Sequence, residues 1–186
     1  SLPLPEYTNS HAVLNLAASL PNVFVRPDLG PRVIMVYGTP ASPSKGTSNL
    51  AMDIADSANI AVHCEVAKEV NVDDNIRDVL ALMDEWKCDA PSKLRVKEKR
   101  QVPAGIWHVF HAADADKIRD LLNKEEADKG KPVETNYDHI HEETKYLDAR
   151  LLAKLHNEYG VVPFTVVQFP GDAIFIPSGA PHQVNK

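Results

Sequence analysis

Two short stretches at opposite ends of the chain carry residue types that can hold a metal. The first is Gly171-x5-Pro177-x-Gly179-x2-His182, within GDAIFIPSGAPH. It reads as a strand ending at Ile176, a tight turn forced by Pro177 and Gly179, and a histidine entering the next strand. That layout points an imidazole into the mouth of a β-barrel. The second is GTSNLAMDIADSANIAVHCEVAK, Gly46 to Lys68, with Asp53 set in an apolar strand pattern where an unpaired buried carboxylate would be costly. A mononuclear non-haem iron site needs two histidines and one carboxylate on one face, with the remaining positions open. Residues i and i+2 of a strand point the same way, so His-x-Asp on one strand supplies two ligands and a distant histidine the third. Here the x-Asp is Met52-Asp53 and the distant histidine is His182, but the first position is Ala51. A methyl group cannot coordinate a metal.

The elements that must position these residues lie at both ends of the chain. Val33 to Tyr37, Asn49 to Ile54 and Asn59 to Val66 read as strands, the last two flanking an Asp56-Ser57 turn, with GTPASPSKG (Gly38–Gly46) a loop between the first two. Phe164 to Phe169 and Ala173 to Ile176 read as strands joined by Pro170-Gly171-Asp172. Between about 70 and 160 the period changes. Asp73 to Trp86 places Ile76, Val79, Leu80 and Met83 on one helical face, and Asp114 can cap a helix with a face of Ala115, Ile118, Leu121 and Leu122. Tyr146 to Tyr159 repeats Leu147, Leu151 and Leu155 and ends at Gly160. Gly105 to His111 is a strand, Lys87 to Val102 a polar stretch and Val133 to Lys145 a polar loop. Upstream, a short helix is expected over His11 to Leu20. Strands far apart in sequence that must pair imply a jelly roll closed across a helical insertion.

Composition sets the outer limits. The 186 residues suffice for one domain with a sizeable core, and 44% hydrophobic with 25% charged residues is ordinary for a globular chain. A net charge of -6 does not describe a nucleic-acid-binding surface. Cys64 and Cys88 form no disulfide framework or Cys-rich zinc site, and reduced thiols in an intracellular compartment are the natural expectation. No apolar run approaches the roughly 20 residues that span a bilayer. SLPLPEYTNS has no signal-peptide layout and no initial Met, so the chain is read as an excised domain.

With these stretches laid side by side, the chain resembles the JmjC domain, in particular the lysine demethylase 3 branch acting on histone H3 lysine-9. The resemblance rests on LPLPEYT (Leu2–Thr8), FVRPDLGP (Phe24–Pro31), GTSNLAMDIADSANI (Gly46–Ile60), WHVFHAADADKIRDLL (Trp107–Leu122), YLDARLLAKLHNEYGV (Tyr146–Val161) and VVQFPGDAIFIPSGAPHQV (Val166–Val184). It runs nearly end to end and thins across about 66 to 103. It implies a cupin-like double-stranded β-helix, mainly β with a helical insertion, in one domain over 1–186. That domain comprises a lead-in over 1–32, barrel strands over about 33–69 and 161–186, and a mixed insertion over about 70–160, with further closing strands expected beyond Lys186.

The resemblance also implies Fe(II) and 2-oxoglutarate as cofactors, oxidative demethylation of the histone H3 tail, chromatin partners and the nucleus. Residue by residue, Asp53 and His182 match metal ligands. Lys68 matches the lysine that pairs with the far carboxylate of 2-oxoglutarate, Ser48 a hydroxyl on that same carboxylate, and Asn59 a pocket-lining residue, with Tyr37 facing substrate. Ala51 occupies the lost ligand position, so weak or absent activity is expected, and His63 would replace it only by rearrangement. The alternatives are a non-catalytic chromatin-binding or scaffolding pseudo-demethylase and a cupin-like module for another small molecule. His139-Ile-His141-Glu142 has metal-motif spacing but reads as a polar loop, and KLRVKEKR (Lys93–Arg100) reads as a solvated basic loop rather than a direct DNA contact.

Overall fold

The computed structural model describes residues 5–9, 11–24, 34, 48–66, 70–130 and 137–185. Lys68, Tyr37, the expected strand over Val33–Tyr37 (Ile34 apart) and the loop after it lie outside the described residues. The chain divides into two compact units, Ser1–Tyr37 and Gly38–Lys186.

In the first unit, α1 spans Pro5–Thr8 and a single 3-10 turn spans Leu16–Ser19. The helix expected over His11–Leu20 is replaced by successive turns, with backbone bonds from Ala12 to Asn9, Asn15 to Ala12 and Ala18 to Asn15. Asparagine side chains explain the difference. Asn9 Oδ1 accepts the His11 N–H at 3.1 Å, and Asn15 Nδ2 donates to the Asn9 carbonyl at 3.0 Å. Such local bonds compete with the helical ladder.

The second unit is built on two antiparallel sheets. The main sheet has the order β1-β6-β3-β4, with β1 Ser48–Ala51, β3 Gly105–Val109, β4 Phe164–Gln168 and β6 His182–Asn185. The small sheet pairs β2 (Ser57–Ile60) with β5 (Ala173–Ile176). The first two of these strands are shorter than the sequence pattern suggests. β1 stops at Ala51 rather than Ile54, and β2 runs from Ser57 rather than from Asn59 to Val66. Register explains the inner face. Ser48, Val184, Trp107 and Val166 form one cross-strand row, and Ala51, His182, Val109 and Phe164 the next. Cross-strand partners share a face. Trp107 and Val184 pack with Ile174, Ile176 and Ala180, so this face looks across the interior at the small sheet. There Ser57 pairs with Ile176 and Asn59 with Ile174, which turns both polar side chains inward.

The helices cover the other face of the main sheet. Helix α2 (Val72–Glu85) begins at Asn71, whose side chain accepts from the Asp73 and Asp74 amides, and its Leu82 and Met83 pack with Trp86, Ile106 and Val167. The basic run is not a loop. It lies largely in α3 (Ala90–Lys97), started by the Asp89 cap and a proline in the first turn. Lys93 pairs with Asp84, Arg95 with Asp172 and Arg100 with Asp73, so these cations serve contacts within the fold. Helix α4 (Ala115–Asp128) buries the expected Ala115, Ile118, Leu121 and Leu122. Helix α5 (Ala149–Tyr159) starts later than Tyr146 because Asp148 caps it through the Leu151 amide, and it ends at Gly160 with φ 67°. α4 and α5 share a core with Leu50, Phe110 and Leu147.

One buried side chain ties the two sheets together. Gln168 accepts from Trp107 Nε1 at 2.9 Å and donates Nε2 to the carbonyls of Asn59 (2.9 Å) and Asp172 (3.0 Å). Gln168→Leu leaves these partners without it at a site where Gln168 is only 4% exposed. The expected loss is about 2–3 kcal/mol, at roughly 1 kcal/mol per abandoned bond, read as a lower denaturant midpoint with an unchanged slope.

Candidate functional site

The site forms where the end of β1 meets the start of β6. Ala51 is the direct cross-strand partner of His182, so the methyl group and the imidazole stand side by side on the interior face. Asp53 lies two residues past Ala51, beyond the strand end, with its side chain 47% exposed. It is therefore half-solvated rather than buried. Its Oδ2 accepts from Ser57 Oγ at 2.9 Å and lies 4.0 Å from His182 Nε2.

The two halves are held together by the backbone. Ser178 N–H donates to Asp56 Oδ1 at 2.7 Å, Ser178 Oγ to the Ile54 carbonyl at 2.8 Å, and Gly179 N–H to the Asp53 carbonyl at 2.8 Å. Gly179 adopts φ 73°, a conformation glycine takes without steric cost. Thus the Pro177–Gly179 turn aims His182 and also clamps the loop carrying Asp53.

The imidazole has a defined orientation. His182 Nδ1 lies 3.0 Å from the Ala180 carbonyl, which can only accept, so Nδ1 carries its hydrogen. In the neutral ring this turns the Nε2 lone pair toward Asp53. The 4.0 Å separation is too long for a hydrogen bond and leaves room for a bridging group. Trp107 flanks the site, its ring centroid 6.2 Å from that of His182.

The other residues of interest fall as follows. Ser48 lies in the interior row next to Val184, and Asn59 faces inward from the opposite sheet. His63 is exposed and lies 3.6 Å from Glu65, away from any third-ligand role. His139 is buried against Tyr137, with Nδ1 3.2 Å from Thr144 Oγ1, while His141 and Glu142 are exposed, so the His-x-His-Glu stretch does not converge on one point. Cys64 and Cys88 are both free, and burial raises the pKa of each thiol, Cys88 to about 11. The residues that anchor the site and were read only as turn residues, not as part of it, are Asp56, Ser57 and Ser178, whose one signal is the polar turn chemistry around each half-site.

An antiparallel jelly roll with an inward-facing histidine and carboxylate beside the start of a late strand defines the cupin-like class of β-barrels. A family model described as "JmjC domain, hydroxylase" matches residues 84–186, more than half the chain. The chain belongs to the JmjC domain family. It is 44% identical over 185 residues to lysine-specific demethylase 3 of Drosophila melanogaster, using all of this chain and 22% of that protein. It is 42% identical over 188 residues to human lysine-specific demethylase 3A, and 40% identical to human "Probable JmjC domain-containing histone demethylation protein 2C". All of this chain is covered in each case, but only 14% and 7% of those two proteins, so the chain spans under a quarter of the relatives it matches.

The family description implies iron and 2-oxoglutarate. A facial iron site takes three protein donors. Among the described residues no three His, Cys, Asp or Glu side chains gather, and Ala51 offers no donor. The donor set here does not fit an iron triad.

Proposed function

We propose that this chain is a histone lysine demethylase-type JmjC domain that has lost oxidative activity and keeps recognition of the histone tail. The observation that carries the reading is the register of Ala51 against His182. Asp53 Oδ2 lies 4.0 Å from His182 Nε2, and the strand position paired with His182 bears a methyl group, which supports the reading. Similarity to the lysine-specific demethylase 3 relatives supports a methylated H3 tail, with lysine-9 as its target, and a nuclear, chromatin-associated setting. Asp53 and His182 are the remaining metal-type residues, with Lys68, Ser48 and Asn59 the cosubstrate-type residues. Among the described residues no helix is long and apolar enough to cross a membrane.

The test is formaldehyde release from H3 peptides methylated at lysine-9, supplied with Fe(II), ascorbate and 2-oxoglutarate. The expected result is no release above that of the Asp53→Ala chain, while the methylated peptide still binds. Release above that background, matched by 2-oxoglutarate consumption, would overturn the reading.

A further inference from the structure

The outer face of the small sheet is apolar throughout. Register decides which residues form it. Ser57 and Asn59 turn inward, so the pairs Ala58–Phe175 and Ile60–Ala173 turn outward. The ladder runs on beyond β2, because the Ala61 N–H donates to the Asp172 carbonyl at 3.2 Å and the Gly171 N–H to the Ala61 carbonyl at 2.7 Å. Val62 therefore extends the outer row of Ala58 and Ile60.

This face is open to solvent. Phe175 is 78% exposed, Ile60 63% and Val62 86%, and Ala58 and Ala173 are exposed beside them. An antiparallel sheet that meets only water places polar residues on its outer side. A contiguous apolar patch in their place marks a surface that another element covers.

Charge and size select that element. The stretches that build the sheet, 48–66 and 169–185, hold Asp53, Asp56, Glu65 and Asp172 but no lysine or arginine. Asp172 pairs with Arg95, whereas Asp56 and Glu65 are exposed before and after the outer row of residues. A second copy would set these carboxylates against their own kind, so the rim favours a cationic partner. From Ala58 to Val62 the row spans about 13 Å, the length of roughly nine helical residues. Two paired strands with their side chains make a strip about 10 Å wide, the diameter of one helix.

We infer that this face docks an amphipathic helix of a partner protein, with its apolar stripe across Ile60, Val62 and Phe175 and its lysine or arginine flanks toward Asp56 and Glu65. The surface lies on the opposite side of the small sheet from Asn59, and so is separate from the candidate site.

The experiment follows the methyl resonances of Ile60 and Val62 by NMR in the whole chain. The probe is a synthetic helix of about 14 residues with leucine at i, i+3 and i+4 and with lysine and glutamine on its flanks. Its counterpart keeps the leucines and carries glutamate for lysine. The lysine peptide is expected to shift both methyl signals and to bind at least about 10-fold more tightly than the glutamate peptide, a difference that shrinks as salt is added. Phe175→Ser removes an exposed ring from the face and is expected to weaken the lysine peptide by at least about 10-fold. Equal binding of the two peptides, shifts that bypass Ile60 and Val62, or undiminished binding by a folded Phe175→Ser chain overturns the proposal. So does self-association of the free chain that Phe175→Ser abolishes, which assigns the face to a second copy. The comparison of peptides needs no variant, so a misfolded mutant does not obscure it.

Discussion

Ala51→His is expected to tighten binding of Fe(II) or Mn(II), with 2-oxoglutarate present and oxygen excluded, by at least on the order of 100-fold. Outer-sphere partners of metal ligands alone contribute about 10–100-fold in affinity, and a direct nitrogen donor contributes no less. The backbone is already arranged for it. Residue 51 is the cross-strand neighbour of His182, and Asp53 Oδ2 lies 4.0 Å from His182 Nε2. The substitution therefore adds a donor next to two others and asks nothing of the loop. Calorimetric titration of the two chains side by side makes the comparison. If both bind equally well, another group completes the coordination sphere of the unaltered chain, and the proposed loss of oxidative chemistry falls. If only the histidine chain binds, the deficit is confined to one side chain, and formaldehyde release by that variant becomes the natural sequel.

Acid is expected to destabilise the fold well before its surface carboxylates titrate, because of His108. This residue is 2% exposed, on the helix-facing side of β3. Its Nδ1 lies 3.2 Å from Gln183 Nε2, which donates to it, and its ring meets the edge of Trp86 with centroids 4.8 Å apart. Burial lowers its pKa to about 4, against an unfolded value near 6.5. The folded state therefore favours the neutral ring. Its contribution is fully present above about pH 6.5 and is lost as pH falls from there toward 4, to a total on the order of 3 kcal/mol. Denaturant melts between pH 7 and 4.5 should show this slope. His108→Gln, a neutral residue able to meet Gln183, should flatten it. An unchanged slope in that variant would assign the acid sensitivity elsewhere. Glu125 acts lower on the scale. Its bonds to Arg150 and Lys154 hold its pKa down to about 2, so its contribution fades only below about pH 4.5.

Much of this architecture is legible in periodicity. The apolar face of α4 reads directly from Ala115, Ile118, Leu121 and Leu122, because a 3.6-residue repeat needs no knowledge of the partner. The turn at Pro177–Gly179 and the histidine after it are equally local. What periodicity does not carry is pairing across distance. Ser178 meets Asp56 from 122 residues away, and β3, in the middle of the chain, lies between β6 and β4. The irregular register between Ser48 and Ala51, three residues of β1 against two of β6, likewise shows only once the two strands are paired. For α3, the eye falls on the charges of KLRVKEKR and misses the Asp89 cap and the proline that start the helix.

The clamp between the 53–56 loop and the 177–179 turn changes what losing a ligand means. A centre organised only by its ion falls apart when the ion no longer binds, and selection then has nothing to preserve. Here three hydrogen bonds to backbone and side chain join the loop to the turn without any metal. None of these bonds involves residue 51, so the proposed loss of its donor leaves the anchoring of the loop to the turn untouched. A histidine introduced at residue 51 would accordingly meet a loop and a turn that are already joined.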